Sequence, residues 1–396
     1  MKIYIVGIGM DGASTLTQEA DKIIREADVL IGAKRMLKPF EHLGRIMAEL
    51  SASREIAQYI AQCEEENIAV LMSGDCGFYS GAKRLLPFLE GYETELICGI
   101  SSPVYFCSKL KIDWEKLHFV SLHGRNDNIV RSVCSHERVF FLLGGKLTVA
   151  DICSRLCRYG MHSIKVYIGE NLSYSNEKIM CGKAEDFQEY SASGLSVMIA
   201  ENPDYEQNPK SGISDDEFIR GKLPMTKSEV RTVAVAGLEI GKKDICWDIG
   251  SGTGSVAVEM AMQCENGTVF AVEKNPDGVK LIDKNRLKFG CDNIEIIEGE
   301  AVGVINELPS PDCVFIGGSG GQLREIIEAA YKKNPSLRLT VTAVSLETLS
   351  ECSDLFEDYG FESEIIQLAV TRTRKAGSHT MLSAENPIFV IKRKFR

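Results

Sequence analysis

Cys246-Trp247-Asp248-Ile249-Gly250-Ser251-Gly252-Thr253-Gly254, followed downstream by Glu273, is the stretch that decides the fold. Its first four residues predict a buried strand that breaks into a glycine turn. A helix is predicted next, over Ser255 to Gln263, and then a second apolar strand, Thr268 to Val272, ending on the acid Glu273. Glycines let the chain turn tightly and let a ligand come close to the backbone. An acid at the tip of the second strand can accept hydrogen bonds from both hydroxyls of a ribose. The pattern predicts a nucleoside-cofactor pocket at the carboxyl edge of a parallel sheet.

Two nucleosides compete for it. The dinucleotide fingerprint G-x-G-x-x-G places its last glycine for helix packing and turns a helix N-terminus toward a pyrophosphate. Here the glycines alternate as Gly250, Gly252 and Gly254, with Asp248 just ahead. That spacing resembles motif I of the class I S-adenosylmethionine-dependent methyltransferases. Such a cofactor has no pyrophosphate to cradle; it carries an amino-acid end and a sulfonium, which an acid near the loop suits. The spacing opposes an NAD-dependent oxidoreductase. A glycine turn with no ligand is the plain alternative, and the acid-ended second strand counts against it.

A chain of 396 residues suits two or three domains. An apolar fraction of 44% lets each build a core. A formal charge of -11 argues against a general nucleic-acid binder but permits a polyanionic small substrate where cations cluster. The 13 cysteines show no C-x-x-C and no paired metal-ligand spacing, and the six histidines form no H-E-x-x-H pattern. They predict reduced thiols used as small hydrophobes and no metal site. No apolar run reaches the ~18 to 20 residues of a membrane helix. Met1-Lys2-Ile3-Tyr4-Ile5-Val6-Gly7 meets glycine too early for a signal peptide, so a cytoplasmic protein is expected.

Two α/β patterns flank a polar break from Asn202 to about Lys222, rich in proline, glycine and acids. The expected domains are 1–205 and 223–396, joined by a linker over 206–222. In the second half, strands are predicted at Ile245-Ile249, Val269-Glu273, Ile294-Ile297, Cys313-Ile316, Leu339-Ser345, Glu364-Val370 and Ile388-Ile391. Helices fill the gaps at Asp277-Phe289, Gln322-Lys333 and Leu346-Tyr359. Thr226 and Glu229 have the form of a capping box for a helix ending at Gly237. Only a loop, Thr371 to Asn386, separates the last two strands, which predicts a closing antiparallel hairpin on a parallel seven-stranded sheet. In the first half, Gly7-Ile8-Gly9-Met10-Asp11-Gly12, Ser73 to Ser80 and Gly99-Ile100-Ser101-Ser102-Pro103 each read as a strand end entering a small-residue turn.

The first half resembles the tetrapyrrole methylase family. Gly7-Ile8-Gly9-Met10-Asp11 and Gly74-Asp75-Cys76-Gly77-Phe78-Tyr79-Ser80 stand where that family has G-x-G-P-G and G-D-P-x-x-Y-G. Met10 and Cys76 replace prolines, and Ser80 a glycine; the turn backbone survives such changes. Ser121-Leu122-His123-Gly124-Arg125 and Gly169-Glu170-Asn171-Leu172-Ser173-Tyr174 resemble the branch acting on carbon 5 of precorrins. The second half is similar to the class I precorrin carbon-15 methyltransferases through Leu223-Pro224-Met225-Thr226-Lys227-Ser228-Glu229-Val230-Arg231, Gly299-Glu300-Ala301 and Phe315 to Gly321. The resemblance covers essentially the whole chain. It implies an α/β protein: a tetrapyrrole methylase fold of two α/β subdomains with a cofactor cleft, then a Rossmann-like class I domain with a seven-stranded sheet. It also implies C-methylation of a precorrin at two carbons, with loss of an acetate carboxyl, in cobalamin synthesis.

The resemblance carries cofactor contacts to definite positions. For S-adenosylmethionine, one site per domain, they are Thr226, Gly250, Ser251, Gly252, Thr253, Gly254, Glu273 and Ala301 in the second half. In the first half they are Ser73, Gly74, Asp75, Phe78, Ser101, Ser102 and Leu143. A substrate bearing many carboxylates needs local cations, and the candidates are His123, Arg125, Arg372, Arg374 and His379. No catalytic side chain is assigned, because alignment of carbon, methyl and sulfur accounts for the chemistry. The expected partner is a tetrapyrrole, with no nucleic acid and no membrane; a homo-oligomer is left open. The alternatives are an RNA or protein methyltransferase, disfavoured by charge, and a tetrapyrrole carrier that has lost activity.

Overall fold

The computed structural model describes residues 1–12, 14–122, 128–192, 194–206 and 211–394. The chain forms two compact units. The first comprises Met1–Asn126, Glu137–Ser154 and His162–Asn202; the second comprises Asp127–His136, Arg155–Met161 and Pro203–Arg396.

The first unit holds two five-stranded sheets. Strands β1 (Lys2–Gly7), β2 (Val29–Gly32), β3 (Ile46–Glu49), β4 (Asn67–Met72) and β5 (Glu93–Ile97) pair in the order β3-β2-β4-β1-β5. All four pairings are parallel. A parallel sheet needs cover on both faces. Ile3 and Ile5 of β1 point into one apolar cluster, and Val6 into another on the opposite face. The second sheet uses β6 (His118–Ser121), β7 (Arg138–Leu142), β8 (Lys165–Glu170), β9 (Lys178–Lys183) and β10 (Ser196–Glu201), ordered β6-β7-β10-β8-β9. Only β6 and β7 are parallel there. A helix after the first glycine turn spans Gln18–Glu26, and the Thr17 side chain caps it by accepting from the Ala20 amide.

The second unit is built on β11 (Ile245–Ile249), β12 (Thr268–Glu273), β13 (Ile294–Glu298), β14 (Cys313–Ile316), β15 (Arg338–Ala343) and β16 (Ser363–Leu368). A short ribbon of β17 (Thr371–Ala376) and β18 (His379–Ala384) follows, and then β19 (Ile388–Arg393). The main sheet is seven-stranded, in the order β13-β12-β11-β14-β15-β19-β16. Its first five strands run parallel, and β19 slots antiparallel between β15 and β16. Alternation along β11 sends Cys246 into one core cluster and Trp247 and Ile249 into the other.

Three local differences from the sequence reading have physical causes. The segment expected as a loop between the last two large strands pairs with itself as β17 and β18, turning at Gly377. The segment 211–222 of the expected linker is packed rather than free: Ile213 and Phe218 are buried in the unit's core. Arg231 and Glu259, both fully buried, hold that segment. Glu259 accepts from the Gly212 and Ile213 amides at 3.2 and 3.1 Å, and the Arg231 guanidinium donates to the Ile213 carbonyl. Finally, Thr226 is not a helix cap. The helix spans Ser228–Ala236 with Lys227 at its N-cap position and no side-chain cap bond. Asp215, supplied by the packed segment, accepts from the Ser228 amide at 3.0 Å instead.

Candidate functional site

In the second unit a cavity of about 690 Å³ opens at the carboxyl ends of the parallel strands. Gly250, Ser251 and Gly252 line it after β11, Glu273 to Asn275 at β12, Gly299 to Ala301 after β13, and Gly317 to Gly320 after β14. Open α/β sheets bind ligands in this crevice. Gly250 sits at a φ of +73°, and a Cβ there would fall 2.5 Å from the Gly318 carbonyl oxygen. No other residue type fits, so the loops after β11 and β14 can approach each other. A Cβ at Gly318 would meet no atom within 4 Å, so its absence leaves the cavity open.

Glu273 is held in place from both sides. Its Oε2 accepts from the Gly252 amide at 2.7 Å and its Oε1 from the Asn275 amide at 2.8 Å. Each oxygen keeps acceptor capacity for a further donor. Beneath the loop, Asp248 is fully buried, and burial pushes its carboxyl up to about 7. Its Oδ2 accepts from the Ser251 hydroxyl at 2.6 Å.

Of the positions carried over by resemblance, Thr226, Gly250, Ser251, Gly252, Glu273 and Ala301 line this cavity. Thr253 and Gly254 stand behind it. The Thr253 carbonyl accepts from Asn285 at 2.8 Å, and Gly254 backs onto Ile282. Arg372, Arg374 and His379 do not line the cavity. The register of the ribbon sets them on one face, with Arg372 opposite Ser383, Arg374 opposite Met381 and His379 opposite Ala376. Arg372 reaches the cavity's rim by donating to Glu385 at 3.0 Å and to Glu229 at 2.5 Å. Glu385 itself is a lining residue.

The first unit has its own cleft, of about 400 Å³. Ser73, Gly74, Asp75, Phe78, Ser101, Ser102 and Leu143 all line it. Gly9 and Gly74 exchange backbone hydrogen bonds at 3.1 and 2.6 Å, which joins the first turn to the second. Asp75 ties the second turn to the third: Oδ1 accepts from the Gly77 amide at 2.8 Å, and Oδ2 from the Gly99 amide at 3.0 Å. Cys76, at a proline position of the resembled family, is buried and donates its thiol to the Ile5 and Ile97 carbonyls at 3.3 Å. Burial pushes that thiol up to about 12, so it remains a neutral donor. His123 and Arg125 lie outside the described residues.

Residues 2–188 match the family of tetrapyrrole (corrin/porphyrin) methylases, and residues 217–393 match the precorrin methyltransferase domain. The chain is 37% identical to the cobalt-precorrin-6B C(15)-methyltransferase (decarboxylating) of Salmonella typhi, over 45% of this chain and 94% of that protein.

The chain belongs to the precorrin methyltransferases.

It is also 27% identical to the precorrin-6Y C(5,15)-methyltransferase [decarboxylating] of Sinorhizobium, over 98% of this chain and 94% of that one. A crystal structure of precorrin-6Y C5,15-methyltransferase from Geobacter metallireducens shares 38% identity over 47% of this chain and 97% of that one, with a TM-score of 0.44. A precorrin methyltransferase is an S-adenosylmethionine-dependent C-methyltransferase, and the open glycine cradle and the fixed Glu273 carboxylate fit that donor.

The sequence reading left out several residues that shape this precorrin methyltransferase. Gly278, in the helix Pro276–Lys288, leaves the space Glu273 occupies: a Cβ there would lie 2.7 Å from the Glu273 Cγ. A lone glycine inside a helical pattern was the available signal. Lys274, Asn275 and Glu385 line the cavity, and Arg35, Met36 and Tyr174 line the cleft. Tyr174 donates to the Met10 carbonyl at 2.8 Å. Tyr174 ends the Gly169-to-Tyr174 motif, which gives it no role; no motif marks the others, and only the folded chain brings them in.

Proposed function

We propose that this chain methylates a precorrin at carbons 5 and 15 and removes the carboxyl of an acetate side chain, in cobalamin biosynthesis. One donor would sit in each unit. The observation that carries this reading is the pair of unlike clefts, each at the ends of parallel strands and each lined by most of the cofactor positions the resemblance singles out.

S-adenosylmethionine, when bound, supplies a methyl group on a sulfonium with a neutral leaving group. The protein's own part is to bind and to orient. In the second unit Glu273 would take the ribose hydroxyls, while Gly250 to Gly252 and Ala301 would offer main-chain contact. In the first unit the joined turns at Gly9, Gly74 and Gly99 would do the same through backbone groups and small side chains. The acceptor is a meso carbon of a reduced tetrapyrrole, nucleophilic through enamine-type conjugation. Alignment alone is worth up to ~7 to 11 kcal/mol in well-oriented systems. The ribbon face bearing Arg372, Arg374 and His379 would meet substrate carboxylates at the rim of the second cavity.

The test is mass spectrometry of precorrin-6Y incubated with the full chain and S-adenosylmethionine. Gain of two methyls with loss of one carbon dioxide is expected. A product bearing a single methyl would confine activity to one unit and overturn the reading.

A further inference from the structure

We propose that Arg35 anchors a carboxylate side chain of the tetrapyrrole in the cleft of the first unit. This rests on the function proposed above and assigns one residue of substrate recognition within it. Arg35 lies in the short helix Lys34–Leu37, directly after β2. It is exposed, and it lines the cleft. Among the described residues lining that cleft it is the only cation.

Its charge is not spent within the protein. The guanidinium has no ion-pair or hydrogen-bond partner among the described residues. Asp75 is the only acid among the described residues lining the cleft, and its two oxygens accept from the Gly77 and Gly99 amides rather than from Arg35. The lining lysines of the other unit differ: Lys227 faces Asp215 at 3.6 Å, and Lys274 faces Glu300 at 3.3 Å. An exposed guanidinium left unpaired in a chain of net charge -11 is a site for an external anion.

The rest of the lining defines which anion. Met10, Met36, Met72 and Leu172, none of them a position carried over for the donor, make an apolar wall that suits the face of a macrocycle, not a free inorganic ion. A planar guanidinium binds a carboxylate through two parallel hydrogen bonds. An apolar ring bearing peripheral carboxylates satisfies both requirements together; the carboxylate of the donor's amino-acid end is the competing anion, and donor affinity in the variant separates the two. Arg35 is therefore a substrate-positioning residue, with no part in the transfer itself.

The experiment compares wild type, Arg35→Ala and Arg35→Lys as full chains. Carbon-5 methylation of precorrin-6Y is followed by mass spectrometry, and S-adenosylmethionine binding by calorimetry. Loss of one charge-assisted contact should raise KM for precorrin-6Y about tenfold or more in Arg35→Ala. The rate constant kcat should fall less, and donor affinity should stay unchanged. Arg35→Lys should recover part of the loss. An unchanged KM in Arg35→Ala beside an active wild type would overturn the inference alone, as would an equal fall in donor affinity. A wild type without carbon-5 methylation would overturn the proposed function, and this inference with it.

Discussion

The Glu273 carboxylate is fastened to the Gly252 amide at 2.7 Å, so the acid that ends β12 and the turn that ends β11 form one rigid element. A ligand that uses Glu273 finds its acceptors already oriented. Glu273→Ala should weaken donor binding in the second unit by about 1.5 to 3 kcal/mol for each charged hydrogen bond lost. Calorimetry on the full chain should show two binding events in wild type and one of them weakened in the variant. Two unaltered events would reject Glu273 as a cofactor contact.

Gly278 and Glu273 give a second, sharper test. Glycine inside a helix ordinarily costs about 0.5 to 1 kcal/mol relative to alanine. On propensity alone, Gly278→Ala would stabilise the fold. A Cβ at this position would meet the Glu273 Cγ at 2.7 Å and the Gly252 carbonyl oxygen at 3.0 Å, so the carboxylate must move. The expected result is weaker donor binding without the gain in melting temperature that the helix would otherwise show. A more stable variant with normal affinity would mean that the glycine is not there for the carboxylate.

Asp248 should make stability depend on pH in a definite direction. Burial raises its carboxyl from 3.8 to about 7 in the folded chain. The folded state thus keeps a proton that the unfolded state releases. Its contribution is full below the unfolded value, shrinks as pH climbs, and is gone above about 7. Asp248→Asn keeps an acceptor for the Ser251 hydroxyl and removes the titration. Melting temperatures of wild type and variant, measured from about pH 4 to pH 8, should therefore diverge with pH, the wild type losing ground. Parallel curves would show that this carboxyl does not titrate in that window.

Much of this architecture was legible because its signals are local. The alternation of apolar runs and glycine breaks marked each strand of the main sheet in the second unit, with only small shifts at the ends. The ribbon escaped because all its residues are exposed, so no buried face imposes an apolar period. A turn signal was present in Gly377-Ser378, but it lacked flanking hydrophobics. Asp215 was read as part of a polar break, yet it bonds the Ser228 amide, and that bond displaces Thr226 as the cap. Long-range polar pairing of this kind has no sequence period. For the same reason Arg35 was silent: a surface arginine becomes informative only when the fold sets it on one cleft with Met10, Met36 and Phe78.

The pair Arg231 and Glu259 tests how the packed segment before the helix Ser228–Ala236 supports the cavity. Both side chains are fully buried, with Nε and Oε1 2.6 Å apart. Arg231 also donates to the carbonyl of the cavity-lining Thr226 at 2.7 Å. Removing Arg231 leaves the Glu259 carboxylate buried without a cation, a cost of about 3 to 5 kcal/mol; removing Glu259 leaves Arg231 with only Asp215, at 3.4 Å. Glu259→Gln weakens the same contact while keeping an acceptor, and should cost less than Glu259→Ala. Arg231→Met alone should be strongly destabilising, and joined with Glu259→Leu it should recover only part of the lost stability: an apolar pair removes the desolvation penalty but leaves the Gly212 and Ile213 amides without their acceptor. The double variant cannot hold the Thr226 carbonyl, so its donor affinity in the second unit should stay low after that part returns. Denaturant unfolding and calorimetry together read this out. Full recovery of affinity in the double variant would show that the pair holds the fold and has no bearing on the cavity.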